Sequence, residues 1–187
     1  MEIAPTVGPE RSCAGFTLLE LVMVVSIAAI LLALGVPSFR YVTTANRLAA
    51  EVNGLIGDMQ FARTEAIKEG QSVVACVSTD GATCTGGNTW QSGWIVCASP
   101  QNDGACDGTP PYRVQKSFAS LNSTDTFVAD GNTSVLNFNR EGFATGLAGP
   151  VTVKLHNATS VATYTRCLQV SAVGILQVET VGVGNCT

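Results

Sequence analysis

The residue whose type and position most directly indicate chemistry is Glu20, a carboxylate inside an otherwise apolar stretch. An unpaired carboxylate is costly near the interior of a bilayer. If the chain is cut after Gly15, the new α-amino group of Phe16 lies about one helical turn from Glu20. In a packed assembly, the carboxylate of one subunit can then pair with the amine of a neighbour, so that both charges are satisfied in a dry environment. The alternative is a carboxylate at the membrane interface, one turn outside the hydrocarbon.

The segment after Glu20 sets this environment. Residues 21–39 carry no charge over 19 positions, close to the roughly 20 residues that a helix needs to cross a bilayer. Residues 1–15 form a short polar segment, and Arg11 is its only cation. A secretory signal peptide would place its small-residue cleavage site after the apolar run, whereas Ala14-Gly15 precedes it. We therefore expect residues 21–39 to be a membrane helix rather than a removed signal sequence.

The rest of the chain predicts an α+β head. From residue 40 to 68, apolar residues recur three and four apart, and we expect Arg47, Glu51, Asp58 and Glu65 to lie largely on the other side. Gly70 is a suitable helix stop. Beyond it, short β-rich runs predict strands at residues 72–78, 89–98, 112–117, 134–139, 151–155, 162–170 and 174–180. The fold class expected is a long N-terminal α-helix packed against an antiparallel β-sheet head.

The run Gly15-Phe16-Thr17-Leu18-Leu19-Glu20 before an apolar helix resembles the type IV prepilin motif. The resemblance implies that a prepilin peptidase cuts between Gly15 and Phe16, that Phe16 is N-methylated, and that Glu20 guides docking into a filament. Gly35 and Pro37 match the position where many pilin helices are distorted; physically, Pro37 removes one backbone donor and crowds the preceding turn. The expected organisation is a leader (1–15), a membrane or filament-core half of the helix (16–39), an amphipathic half (40–69) and a β-rich head (70–187).

Removal of the leader would remove Cys13 and leave an even set of six cysteines. An even set in an exported head predicts disulfides. The favoured pairs are Cys167–Cys186, which would pin the C-terminal strands, and the local pairs Cys76–Cys84 and Cys97–Cys106. Cys76–Cys97 across a hairpin is the alternative. No C-x-x-C spacing occurs, so zinc is not expected. The loop aspartates Asp80, Asp103, Asp107 and Asp130 lack EF-hand-like spacing, so calcium is not expected either.

The head has a second, broader resemblance to the minor pilins and pseudopilins of the GspH, FimT and FimU class. It is carried by the helix end within residues 51–73, by the strand and turn of residues 136–142, and by the terminal cysteine pair. Three roles follow: a minor pilin of a type IV pilus, an H-type pseudopilin of type II secretion, and a DNA-binding minor pilin. The implied partners are other major and minor pilins or pseudopilins, prepilin peptidase, the inner membrane and its assembly platform. The implied location is the inner membrane, single-pass with a periplasmic head, and then the filament; adhesion, motility or DNA uptake would be the process served.

DNA is the partner that the charges favour least. The net charge is −4, and where DNA-binding relatives carry Gly-Arg-x-Arg this chain has Gly174-Ile175-Leu176-Gln177. A basic patch would have to be assembled in three dimensions from Arg113, Lys116, Arg140, Lys154 and Arg166. The single histidine, His156, argues against a nucleophile–base–orienter set. We expect no enzyme and no cofactor. A membrane-anchored binding domain that never polymerises is the remaining alternative from another class.

Overall fold

The computed structural model describes residues 15–100, 105–107, 113–121 and 124–186, without the side chains of residues 37 and 38. Residues 1–14, and with them most of the expected leader and Cys13, lie outside the described part. Within it, the chain forms a long helix followed by nine strands: α1 (Leu18–Glu69), β1 (Ser72–Val77), β2 (Gly93–Ser99), β3 (Arg113–Ala119), β4 (Thr126–Ala129), β5 (Val135–Phe138), β6 (Ala144–Thr145), β7 (Val151–His156), β8 (Arg166–Val170) and β9 (Leu176–Thr180).

The helix begins and ends where local chemistry dictates. The Thr17 hydroxyl accepts a hydrogen bond from the Glu20 backbone N–H at 3.2 Å, which satisfies one of the unpaired donors of the first turn. At the other end, Lys68 lies in the last turn, and Gly70 adopts a left-handed conformation with φ of 66°. The prediction of one helix from residue 16 to about residue 68 is confirmed by α1 (Leu18–Glu69).

The described part of the chain divides into two compact units, with the boundary between Val42 and Thr43. In the first unit, the described helix exposes its apolar side chains, as expected for a segment made for lipid or for a helical assembly. In the second unit, the helix has one buried face made of Leu48, Val52, Leu55, Met59, Ala62 and Ala66. The three- and four-residue spacing predicted this face correctly.

The strands of the second unit form two antiparallel sheets. One has the order β3-β2-β1-β5-β6 and the other the order β4-β7-β8-β9. The main core joins the buried helix face to both sheets, through residues such as Val73, Phe138, Val153 and Leu168. The expected α+β fold, with the helix against antiparallel sheets, is therefore confirmed.

The predicted strands are right in their centres and wrong at several ends. Residues Trp90–Ser92 form a 3₁₀ turn rather than the start of a strand. This turn ends at Gly93, whose φ of 112° is a conformation that favours glycine, and β2 begins there. Residues Ala162–Tyr164 likewise form a 3₁₀ turn before β8. The short strands β4 and β6 were not predicted. Each has four residues or fewer, too short for a two-residue alternation to stand out.

Candidate functional site

The first candidate site is the start of α1. Gly15 and Phe16 precede the helix, and the Phe16 side chain is 81% exposed. Glu20 is the acidic residue of the first turn and is exposed. The spacing from Thr17 to Glu20 is that of a capping box, and the structure contains the half in which the Thr17 hydroxyl accepts from the Glu20 N–H. The N-terminal end of the helix dipole favours a carboxylate at this position.

Apolar surface surrounds this carboxylate. Within α1, an 18-residue window near the N-terminus has a mean hydropathy of 2.6 and is not buried, so α1 is long and apolar enough to cross a membrane by length and composition. The helix assignment continues through Gly35 and Pro37. The Pro37 side chain lies outside the described part of the chain, so a distortion of the helix there stays a prediction.

The second candidate site is the set of head cysteines. The structure contains the disulfides Cys76–Cys84, Cys97–Cys106 and Cys167–Cys186, the pairing favoured over Cys76–Cys97. The first two lie side by side. Cys76 and Cys97 occupy neighbouring strands, and the Cys84 N–H donates to the Cys106 carbonyl at 2.9 Å. With Val74 and Ile95, these cysteines form a small second core on the outer face of the five-stranded sheet.

The loop closed by Cys76–Cys84 is organised by Asp80. Its carboxylate accepts hydrogen bonds from the Thr83 hydroxyl at 2.6 Å, from the Thr83 and Ala82 backbone N–H groups at 2.9 Å, and from the Ser78 hydroxyl at 2.9 Å. These donors hold the pKa of Asp80 well below its ordinary value, the Thr83 hydroxyl most of all. The arrangement is a structural turn, since its carboxylate oxygens are already occupied by the loop itself.

The five cations of the candidate basic patch do not come together. Arg113 and Lys116 lie on β3, Arg140 follows β5, and Lys154 and Arg166 lie on β7 and β8 of the other sheet. Carboxylates engage four of them: Arg113 contacts Glu69 at 2.8 Å, Lys116 contacts Asp58, Arg140 contacts Glu141 at 2.7 Å, and Lys154 contacts Asp130 at 3.4 Å. Arg166 donates to the backbone carbonyls of Thr163 and Thr165. Paired cations in separate places offer little to a phosphate backbone.

One buried polar cluster was missed. Asp58 was expected on the solvent side of the helix, but it is 3% exposed. Its carboxylate accepts a hydrogen bond from Trp94 Nε1 at 2.8 Å and pairs with Lys116, whose ammonium lies 5.8 Å from the centre of the Phe61 ring. The spacing carries a signal for this, because Asp58 lies three residues after Leu55 and four before Ala62, both on the buried face.

Comparison with known proteins agrees with this geometry. The family model described as type II transport protein GspH matches residues 51–174, and the prokaryotic N-terminal methylation motif matches residues 11–36. Two crystal structures of the type IV minor pilin FimU from Pseudomonas aeruginosa are similar in fold. One aligns with a TM-score of 0.50 and 18% identity over 73% of this chain and 90% of that chain, and the other with 0.51 and 17% over 73% and 86%. A comparison with curated protein sequences gives no match.

Proposed function

We propose that this chain, which belongs to the GspH family of type II transport proteins and to the wider class of FimT- and FimU-like minor pilins, is processed and built into a type IV pilus as a minor subunit. The family and the fold are those of structural pilin subunits rather than of enzymes. Prepilin peptidase is proposed to cut between Gly15 and Phe16, after which Phe16 is methylated. The observation that supports this best is the helix start: a Thr17-capped first turn that exposes the Glu20 carboxylate.

Before assembly, the apolar half of the helix would anchor the chain once in the inner membrane, with the head in the periplasm. Glu20 lies at the very start of this segment, where it can remain near the interface. In the filament, Glu20 would face the methylated amine of a neighbouring Phe16. Because an ion pair in a dry surrounding is favourable only with close geometry, this contact would select the correct axial position of each subunit.

The H-type pseudopilin of type II secretion is the second candidate, because the matching family model carries the description of a type II transport protein. The same helix start serves either filament. Identifying which purified filament contains the chain, a pilus or a secretion pseudopilus, would separate the two roles. A DNA-binding role is disfavoured by the paired and scattered cations of the head.

Glu20→Lys tests the docking step. We expect loss of incorporation into filaments, because the substitution places a cation opposite the cationic terminus of a neighbour. Cleavage after Gly15 and the three head disulfides should persist. Ala158→Lys, which adds a lysine on an exposed loop of the head, is the control and should be incorporated normally. The measurement is the amount of chain in sheared filaments relative to the membrane. Normal incorporation of Glu20→Lys would contradict the docking role.

A further inference from the structure

Four large apolar side chains of the head lie exposed where the end of α1 approaches two hairpin loops. They are Ile67 (52% exposed), Phe143 (47%), Val173 (49%) and Ile175 (48%), and we call them the corner patch. Ile67 belongs to the last turns of α1, Phe143 to the loop between β5 and β6, and Val173 and Ile175 to the loop between β8 and β9. Three separate chain segments therefore contribute to one apolar surface.

Two glycines bring these segments together. A Cβ atom added to Gly142 would lie 2.8 Å from Ile67 Cδ1, and one added to Gly174 would lie 2.1 Å from the Gly142 carbonyl oxygen. The Ala144 N–H also donates to the Ala172 carbonyl at 2.9 Å. The two loop backbones therefore touch next to the end of α1. Phe143 follows Gly142, and Val173 and Ile175 flank Gly174, so all four exposed residues belong to one region of the head.

A guanidinium group lies against these glycines. Arg63 Nε donates to the Gly142 carbonyl at 2.9 Å, and Arg63 Cζ would be 3.3 Å from a Cβ atom on Gly174. Within the described part of the chain, this is the hydrogen bond that the Arg63 guanidinium makes, and its two Nη groups have no acceptor there. Arginine and phenylalanine are both enriched in protein interfaces relative to the rest of the surface, and arginine is frequent among the residues that dominate binding energy.

We propose that the corner patch docks the head of a neighbouring filament subunit, through an apolar segment that carries a carboxylate to pair with the Nη groups of Arg63. The inference rests on the proposed function, because it places the partner in the same filament. Apolar side chains call for an apolar counterpart, and the fork of the guanidinium matches a carboxylate. A single cation among four apolar residues would neutralise too little of a nucleic acid backbone to hold it.

A second copy of this chain is a poorer occupant. A two-fold contact through the corner patch would bring one Arg63 towards the other. The nearby carboxylate of Glu141 is already paired with Arg140 at 2.7 Å. The charges therefore favour a different subunit, whose surface supplies the acid.

Photo-cross-linking of the full chain in filament-producing cells tests this inference. The cross-linking residue p-benzoylphenylalanine is placed at Ile175, and at Val161, a 41% exposed apolar position before β8, as the matched control. We expect irradiation to join Ile175 to a different pilin-type subunit, within an apolar peptide that contains Asp or Glu, and to give no such adduct from Val161. Adducts with a second copy, with lipid or with nucleic acid, no adduct at all, or equal adducts from both positions would overturn the proposal.

Charge variants make the test specific. Arg63→Glu should lower the adduct yield at Ile175 by about tenfold or more, whereas Arg63→Lys should retain much of it. Should Arg63→Glu leave free head thiols, a sign of misfolding, Val173→Asp at a half-exposed position should give the same reduction. An unchanged yield in a folded charge variant would overturn the inference while the proposed function stands. Absence of the parent chain from filaments would contradict the proposed function itself.

Discussion

At the scale of single residues, Glu20 is an exposed carboxylate in the first turn of a helix whose following residues are apolar. Its type and its place before an uncharged run made it visible in the sequence. The structure adds that the Thr17 hydroxyl caps the helix on which Glu20 stands. The cap holds the carboxylate in the first turn, close to where the new N-terminus would form. The proposed pairing of the Glu20 carboxylate with the amine of a neighbouring Phe16 requires a second subunit, so it lies beyond the structure of a single chain.

Asp80 provides a prediction about pH. Its pKa is lowered in the folded loop by hydrogen bonds, chiefly from Thr83, so its ionised form stabilises the fold. This contribution is complete above the unfolded-state pKa of about 3.9 and is lost as the pH falls below that value. Asp80→Asn should therefore lower the thermal midpoint of the full chain in detergent at pH 7, and the gap from the parent should narrow as the pH falls from about 5 to 2.

The measurement is a series of thermal melts of both proteins across this pH range. Glu65→Gln, on a helix pair with Lys68 at 3.0 Å, serves as a control without the loop network. A gap between Asp80→Asn and the parent that stays constant down to pH 2 would show that the Asp80 charge has no part in holding the loop.

At the scale of elements, the long helix could be predicted and the polar contacts that attach it could not. The three- and four-residue spacing of the apolar positions predicts a buried helix face, made of Leu48, Val52, Leu55 and Met59. The same spacing places Asp58 next to this face, but an acid is rarely buried unless it is paired. Its partners, Trp94 and Lys116, are 36 and 58 residues away along the chain, so only the fold reveals the pairing.

A β-bulge contributes to that pairing. The register between β2 and β3 shifts between Val96 and Cys97, so that Lys116 lies opposite Val96 and Val114 opposite Cys97. The extra residue, Gln115, reaches Glu69 of the helix at 2.9 Å while the adjacent Lys116 reaches Asp58. Adjacent residues of a regular strand point to opposite faces of the sheet, whereas at this bulge the side chains of Gln115 and Lys116 both contact α1.

Asp58→Ala should destabilise the full chain by about 2 kcal/mol or more, because it leaves the Trp94 N–H without an acceptor in a dry interior. Asp58→Asn should cost less, about 1 kcal/mol, since an amide oxygen can still accept from Trp94 and the half-exposed Lys116 can reach water. Chemical unfolding followed by tryptophan fluorescence measures both.

The control for Asp58 is Asp130→Ala, which removes a more exposed partner of Lys154 and should cost about 0.5 kcal/mol or less. Equal costs for Asp58→Ala and Asp130→Ala would mean that the buried cluster contributes nothing beyond a surface pair.

The contact between the two hairpin loops gives a matched glycine comparison. Gly174 and Gly182 both have positive φ, 76° and 84°, but a Cβ atom meets the Gly142 carbonyl at 2.1 Å only in the first case. Gly182→Ala should cost about 1 kcal/mol from backbone strain alone. Gly174→Ala should cost about 2 kcal/mol or more, because the loops must also separate. Thermal melts of both variants check the order, and a larger loss for Gly182→Ala would show that the loop contact is weak.

At the scale of the whole molecule, the fold class followed from the sequence because its signals are strong and local: an uncharged run, an amphipathic helix and β-rich runs with cysteines. Division of the strands into two sheets did not follow. That division depends on pairings between strands distant in sequence: β1 pairs with β5 in one sheet, and β4 pairs with β7 in the other. The hydrogen-bond partners of the two tryptophans are also distant in sequence. The Trp90 indole N–H donates to the Thr133 carbonyl, 43 residues away, and the Trp94 indole N–H donates to Asp58, 36 residues away.

In the head, the contacts that stabilise the fold are distinct from the apolar surface proposed for assembly. Three disulfides and the buried Asp58 cluster hold it together, and local partners engage the five cations of the candidate basic patch. Within the described residues, the apolar helix of residues 18–36 and the corner patch are two surfaces that expose large apolar side chains. In the proposed filament, the apolar helix would pack in the core with the helices of other subunits, and the corner patch would determine which neighbouring head this subunit binds.

The mass of the N-terminal peptide of the chain recovered from cells tests the central claim most directly. Processing as a prepilin predicts a peptide that begins at Phe16 and carries the added mass of one methyl group. Loss of prepilin peptidase should restore the longer form. A chain that still begins at Met1 in cells with active peptidase and filaments would contradict the claim, and would favour a membrane-anchored domain that never polymerises.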